Sequence, residues 1–155
     1  MPAWRRYIGA LYTAAAPALE QAVESERPQL ILSGGYGLLL ANEPIGAYDR
    51  AFSASDWPQG LLEDCLVAAA RALGCRQVAA FCASTTGYAQ VIRRTQWAAA
   101  GLQATLVSPE AAGRGGAMVL VPRASGEALA ATLAGSLTSG WRSSDGLAVT
   151  TEDCT

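Results

Sequence analysis

Two short apolar runs constrain most strongly what this chain can fold into. Gln29-Leu-Ile-Leu-Ser33 follows Pro28, and Arg76-Gln-Val-Ala-Ala-Phe-Cys82 follows Gly74. Neither alternates apolar with polar residues, so each reads as a strand buried on both faces. Helical spacing surrounds them. Thr13 is placed to cap a helix over 14–25, with Leu19, Ala22 and Val23 as its inner stripe. Asp56-Trp57-Pro58-Gln59 reads as a second start, with Asp56 as cap and Pro58 in the first turn. Leu61, Leu62, Cys65, Leu66, Ala69 and Leu73 follow at helical spacing, and Gly74 stops the helix. Ser84, Thr85 or Thr86 caps a third helix carrying Tyr88, Val91, Ile92 and Thr95, ending near Gly101.

The second half reads as strand, turn, strand and helix. Leu102–Val107 and Ala117–Val121 are two apolar runs joined by a Gly- and Ala-rich turn, which predicts a hairpin. Ser125 then caps a helix with Leu129, Leu133 and Leu137 on one side and Gly140 after it. The tail from Trp141 is polar. Within it, 146–151 is expected to add an edge strand and 152–155 to fray. Tyr36–Leu40, just after the first strand, is expected to form a turn of helix. The sum is a single α/β domain over 1–155 with 141–155 as a polar C-terminal tail. Its expected architecture is three-layered, around a mixed, mostly parallel sheet.

Composition narrows the chemistry. The 155 residues are 51% hydrophobic and 15% charged, which suits a folded core and excludes a mainly disordered chain. The net charge is −2, so a broad basic face for duplex binding is not expected. There is no His, and all 11 basic side chains are Arg. His general bases, His metal ligands, Schiff-base lysines and a P-loop lysine are therefore excluded. Acid–base work falls to carboxylates, Tyr, Cys, hydroxyls or bound water. The four cysteines, at 65, 75, 82 and 154, form no CxxC pair, so no metal site is expected. Cys65 and Cys82 stand among apolar residues and read as reduced, mostly buried thiols in a cytoplasmic protein. Arg5-Arg6 and the alanine-rich stretch behind it mimic a signal peptide. Gly9, Thr13 and Pro17 interrupt that stretch, and it has no leucine-rich centre. No apolar run reaches the roughly 18 residues of a membrane span.

Two segments concentrate polar and aromatic groups. The region 34–56 is long, Gly-rich and without sustained period, yet it holds Tyr36, Asn42, Glu43, Tyr48, Asp49, Arg50 and Phe52. Loops of this length in compact domains are usually functional or disordered. It leaves the carboxyl end of a strand, where α/β sheets bind ligands. The turn Cys82-Ala-Ser-Thr-Thr-Gly-Tyr88 leaves another. Its hydroxyls and helix-start N–H groups suit an anion or an amide edge, and Gly87 permits close approach. The two segments are expected to line one pocket. The competing reading gives the aromatics a covering role and the carboxylates a capping one. Gly113-Arg114-Gly115-Gly116 lies in the expected hairpin and is not taken as a phosphate loop.

Leu11-Tyr12-Thr13, then Ile31-Leu32-Ser33-Gly-Gly-Tyr36-Gly37-Leu38-Leu39, then Asn42-Glu43-Pro44-Ile45, Tyr48-Asp49 and Thr86-Gly87-Tyr88 form an ordered set. This set resembles the YaaA peroxide-stress proteins and their shorter bacterial relatives, over a little more than half the chain. The resemblance implies a glycosylase-like α/β fold and nucleobase or N-glycosidic chemistry. Glu43 and Asp49 are then the expected catalytic carboxylates. Tyr12, Ser33, Gly35, Tyr36, Tyr48, Arg50, Thr85, Thr86, Gly87 and Tyr88 are the expected binding residues. No cofactor is expected, and the ligand is a small nucleobase-like molecule or nucleic acid, with no membrane partner. Two alternatives stand beside the enzyme: a non-catalytic, DNA-binding oxidative-stress protein of the YaaA type, and a protein-interaction domain.

Overall fold

The computed structural model describes residues 1–155. Five helices and five strands follow in the order α1 (Ala3–Arg6), α2 (Ala10–Glu24), β1 (Leu30–Ser33), β2 (Gly37–Leu40), α3 (Leu61–Ala72), β3 (Gln77–Phe81), α4 (Gly87–Arg94), β4 (Gln103–Pro109), α5 (Ala117–Leu133) and β5 (Val149–Asp153). The mixed α/β content agrees with the sequence. The sheet does not, because the strands form two small sheets, β1-β2 and β3-β4-β5. Only β3 and β4 are parallel; β1 with β2 and β4 with β5 are antiparallel. The expected mostly parallel sheet is thus corrected to a mostly antiparallel pairing.

The correction has two local causes. Gly37 takes φ +75°, which closes a tight turn after Ser33 and sends Gly37–Leu40 back along β1 as a strand, where a turn of helix was expected. The second cause is Ala117–Val121, which opens α5 and is no strand. Gly116, at φ +79°, ends the preceding turn. A strand here would have nothing to bury against, since Met118 is 92% and Val119 50% exposed. As a helix the segment continues into Ala124, Ala128 and Ala131, which are buried. Pro122 is carried inside the helix although it cannot donate to the preceding turn. Ser125, expected as a cap, is a buried mid-helix residue whose Oγ has no partner. The helix stops at Leu133, short of Gly140.

Other helix starts also shift. α2 begins behind Gly9, and Thr13 is spent on the Ile8 carbonyl at 3.3 Å. α3 begins behind Gly60; Asp56 sits in a short 3-10 turn and pairs with Arg50. Thr86 does cap α4, its hydroxyl accepting from the Ala89 N–H at 3.4 Å. That helix ends at Arg94, well before Gly101, because Thr95 is already extended.

Helices pack on both faces of the strands. α2 and α5 lie against each other, so closely at Gly126 that an added Cβ would fall 2.2 Å from the Leu11 carbonyl oxygen. α2 covers the first sheet, placing Ala15 and Leu19 with Ile31 and Leu39. α5 lies on β3 and β4. On the opposite face, Leu62 and Leu66 of α3 and Val91 and Ile92 of α4 meet Trp97 and Ala104, with Leu30, Leu32, Leu38, Val78 and Ala80 packed against them. The core is thus two clusters of eight buried residues each. The tail expected to fray is tied down. The Cys154 N–H donates to Ala104, the Ala104 N–H donates to Thr155 Oγ1, and Arg93 pairs with Glu152 at 2.8 Å. All four cysteines are free, and Cys65 and Cys82, expected to be reduced and mostly buried, are partly buried. No helix is long and apolar enough to cross a membrane.

A tyrosine-lined candidate site

β1 ends on Ser33, which is 2% exposed. Its Oγ accepts from the Tyr36 N–H at 3.1 Å and the Gly35 N–H at 3.3 Å, so the side chain builds the hairpin turn. Tyr7 Oη also donates to it, at 2.8 Å. With its lone pairs taken, Ser33 gives its own proton to Tyr48 Oη at 2.6 Å, and Tyr48 gives its proton to Tyr7 Oη at 2.6 Å. Three hydroxyls close a ring. Around it, Tyr12 stacks on Tyr7 with centroids 4.9 Å apart, and Tyr36 meets Tyr48 edge-on at 5.3 Å. Tyr36 Oη in turn accepts from the Gly46 N–H at 3.1 Å.

Two glycines make this approach possible. A Cβ on Gly34 would stand 2.2 Å from the Arg50 carbonyl oxygen, and one on Gly35 would stand 2.6 Å from the Tyr48 ring. The loop 41–56 therefore folds directly onto the β1–β2 turn. It continues to α4, where Phe52 stacks on Tyr88 with centroids 4.2 Å apart and planes 16° from parallel. The two segments singled out in the sequence do meet.

Electrostatics keep the cluster neutral. Burial raises the pKa of Tyr7, Tyr12 and Tyr88 above the ordinary phenol value. Each stays a protonated donor throughout the neutral range. Burial also raises the Cys82 thiol, so it is a poor nucleophile.

The carboxylates separate into two kinds. Glu43 is partly buried and accepts from the Leu40 N–H at 3.2 Å, so it caps the hairpin. Asp49 is exposed and forms no hydrogen bond or ion pair with another side chain. Arg50 turns away from both and pairs with Asp56 at 3.0 Å. Thr86 is occupied at both ends, donating to Ala83 at 2.8 Å while it caps Ala89. Thr85 is exposed, and the Gly87 and Tyr88 N–H groups at the start of α4 have no protein acceptor. Tyr7 and Phe52 were not anticipated as site residues. Tyr7 lies in the two-helix lead-in, outside every motif, and no sequence signal marks it.

A neighbouring groove of about 1430 Å³ lies between α3 and α4, and none of the tyrosines lines it. Phe52 and Gly87 form its wall on the site's side, with Trp57, Leu62, Gln90 and Arg94 farther along. No group of His, Cys, Asp and Glu side chains is arranged to hold a metal ion. No protein-family model, curated protein or solved structure matches this chain.

Proposed function

We propose that the chain binds a planar, nucleobase-like heterocycle at the edge of the tyrosine cluster and cleaves its N-glycosidic bond, as the YaaA-like motif set suggests. The observation that carries this reading is the meeting of the 34–52 loop with the start of α4 through the Phe52–Tyr88 stack. Aromatic faces hold a base by stacking, and tyrosine hydroxyls with free helix-start N–H groups meet its polar edge. Asp49 is the carboxylate left for the reaction. It stands beside the anchored Tyr48, unpaired and open to solvent, able to face an oxocarbenium-like centre or activate water. Glu43 serves the backbone and takes no part.

The DNA-binding alternative has less support. Arg5, Arg50, Arg93 and Arg123 each already face a carboxylate. The test is a thermal-shift series over purine and pyrimidine nucleosides, followed by chromatographic detection of released base. A stabilising nucleoside is expected, because a ligand that binds only the folded chain raises its melting temperature. Base release should vanish in Asp49→Asn while the melting temperature holds. Release undiminished in Asp49→Asn, or no nucleoside that stabilises, removes this function.

A further inference from the structure

α3 and α4 run side by side in the same direction. α4 starts beside Phe52, and the short 3-10 turn at 54–56 touches it on the way to the start of α3. At the far end, the Arg71 guanidinium in the last turn of α3 donates to the Ala100 carbonyl at 3.1 Å, just past the end of α4. Each helix lends the groove between them one face at i, i+3, i+4, i+7 spacing, Asp64 to Arg71 on α3 and Gly87 to Arg94 on α4.

Charge is sorted along this groove. Glu63 and Asp64, in the first turn of α3, line one end, and Arg71 and Arg94, in the last turns of the two helices, line the other. From the acids to Arg71 is about 10.5–12 Å along the axis, at 1.5 Å per residue. That is too far to pair, since ion pairs on one helix need a spacing of three or four residues. The chain's four ion pairs lie elsewhere, so none of these side chains has a charged partner. Helix dipoles favour acids in first turns and arginines in last turns. They do not require arginines of two different helices to meet on one cavity. Between the ends, Trp57 and Val67 supply apolar wall beside the buried Leu62 and Val91. The Gln90 carboxamide stands exposed midway along α4 and makes no hydrogen bond within the chain.

We propose that this groove binds a short, extended peptide with free termini, about three residues long. Its ammonium end faces Glu63 and Asp64, and its carboxylate faces the planar donor forks of Arg71 and Arg94. An extended chain gains at most about 3.3–3.6 Å per residue, so three residues span the separation of charge. Gln90 offers both a donor and an acceptor to a peptide group between the ends. Apolar side chains of the peptide lie on Trp57 and Val67. The volume of about 1430 Å³ exceeds the roughly 300–1,000 Å³ of small-molecule pockets, which leaves room for varied side chains. Recognition rests on the two termini and the backbone. This site is separate from the tyrosine cluster, and neither reading depends on the other.

The probes are the tripeptide Leu-Ala-Leu, its N-acetylated form and its C-terminal amide, titrated into the isotope-labelled full chain and followed by nuclear magnetic resonance. The free tripeptide should bind saturably and shift the Gln90 and Val91 amides and the Trp57 indole N–H. Each blocked form should bind about tenfold or more weakly, because it loses one charge-assisted contact. In the double variant Glu63→Gln, Asp64→Asn the acetylated peptide should bind as well as the free one. In Arg94→Gln the gap between the amide and the free peptide should narrow. A merely structural role for these surface side chains would move neither preference. No saturable shift, equal binding of all three forms to the native chain, or preferences unchanged in both variants overturns the proposal. Dodecanoate binding as tightly as the tripeptide would show that the arginine end suffices, which overturns the peptide occupant. Sedimentation showing a dimer whose dissociation moves the same resonances gives the groove to a second copy and overturns it as well.

Discussion

Phe52 lies face to face with Tyr88, their ring centroids 4.2 Å apart, and this contact joins the longest loop of the chain to the start of α4. Phe52→Ala removes the stack and the partly buried ring area. The expected loss is about 2 kcal/mol, read as a lower urea midpoint at unchanged slope. A midpoint that does not move would mean that the loop is held elsewhere.

Ser33→Ala should cost about 1–3 kcal/mol, because the Gly35 and Tyr36 N–H groups and the Tyr7 hydroxyl lose their common acceptor. Tyr48→Phe breaks the same ring but leaves Ser33 accepting, so its cost should be smaller. Chemical denaturation of both variants checks the order.

Gly34→Ala and Gly35→Ala are neighbours with different outcomes. At Gly34 the new methyl meets backbone of Arg50 and Ala51, which has nowhere to go. A loss of about 3 kcal/mol is expected. At Gly35 it meets only the Tyr48 ring, which can swing aside. That variant should stay folded and lose the tyrosine ring instead, visible as a change in near-ultraviolet circular dichroism.

Alkaline pH should unfold the protein through its tyrosines. In the unfolded chain a phenol ionises near pH 10. In the folded chain burial holds Tyr7, Tyr12 and Tyr88 protonated beyond that point. Their contribution is complete below about pH 10 and declines as pH rises above it, since only the unfolded state gains by releasing protons. Urea midpoints measured across about pH 9 to 11 should fall steadily, with tyrosinate absorbance appearing at unfolding. A flat profile would place these rings in water.

Much of the fold was legible in local pattern, although β3, expected to be buried on both faces, has no buried residue. β1 and β3 lie within the two apolar runs, α3 carries its expected stripe of Leu62 and Leu66, and Thr86 caps α4. Ala117-Met-Val-Leu-Val121 misled because β-branched composition reports side-chain shape and says nothing of whether a sheet face is available. Met118 and Val119 have no such face. In the tail the expected edge strand is present as β5, but its end was misread: Glu152 and Asp153, expected to fray, continue the strand because β4 offers its backbone. At the site, the loop and the α4 turn were legible as partners. The roles of Glu43 and Arg50 were not, since a carboxylate bound to an N–H three residues away looks in sequence like any free carboxylate.

The divided core also governs how the chain comes apart. One cluster is built from α1, α2 and the first sheet, the other from α3, α4 and β4, and no strand pairing links them. The first sheet still joins them, because Leu30, Leu32 and Leu38 pack against the second cluster while Ile31 and Leu39 sit in the first. A second contact runs through α2 against α5, where Gly126 sits on the Leu11 carbonyl and Leu129 reaches into the first cluster. Enlarging Gly126 would break this second contact and loosen the coupling of the two clusters. Melting would then broaden into two steps, with a van't Hoff enthalpy below the calorimetric one.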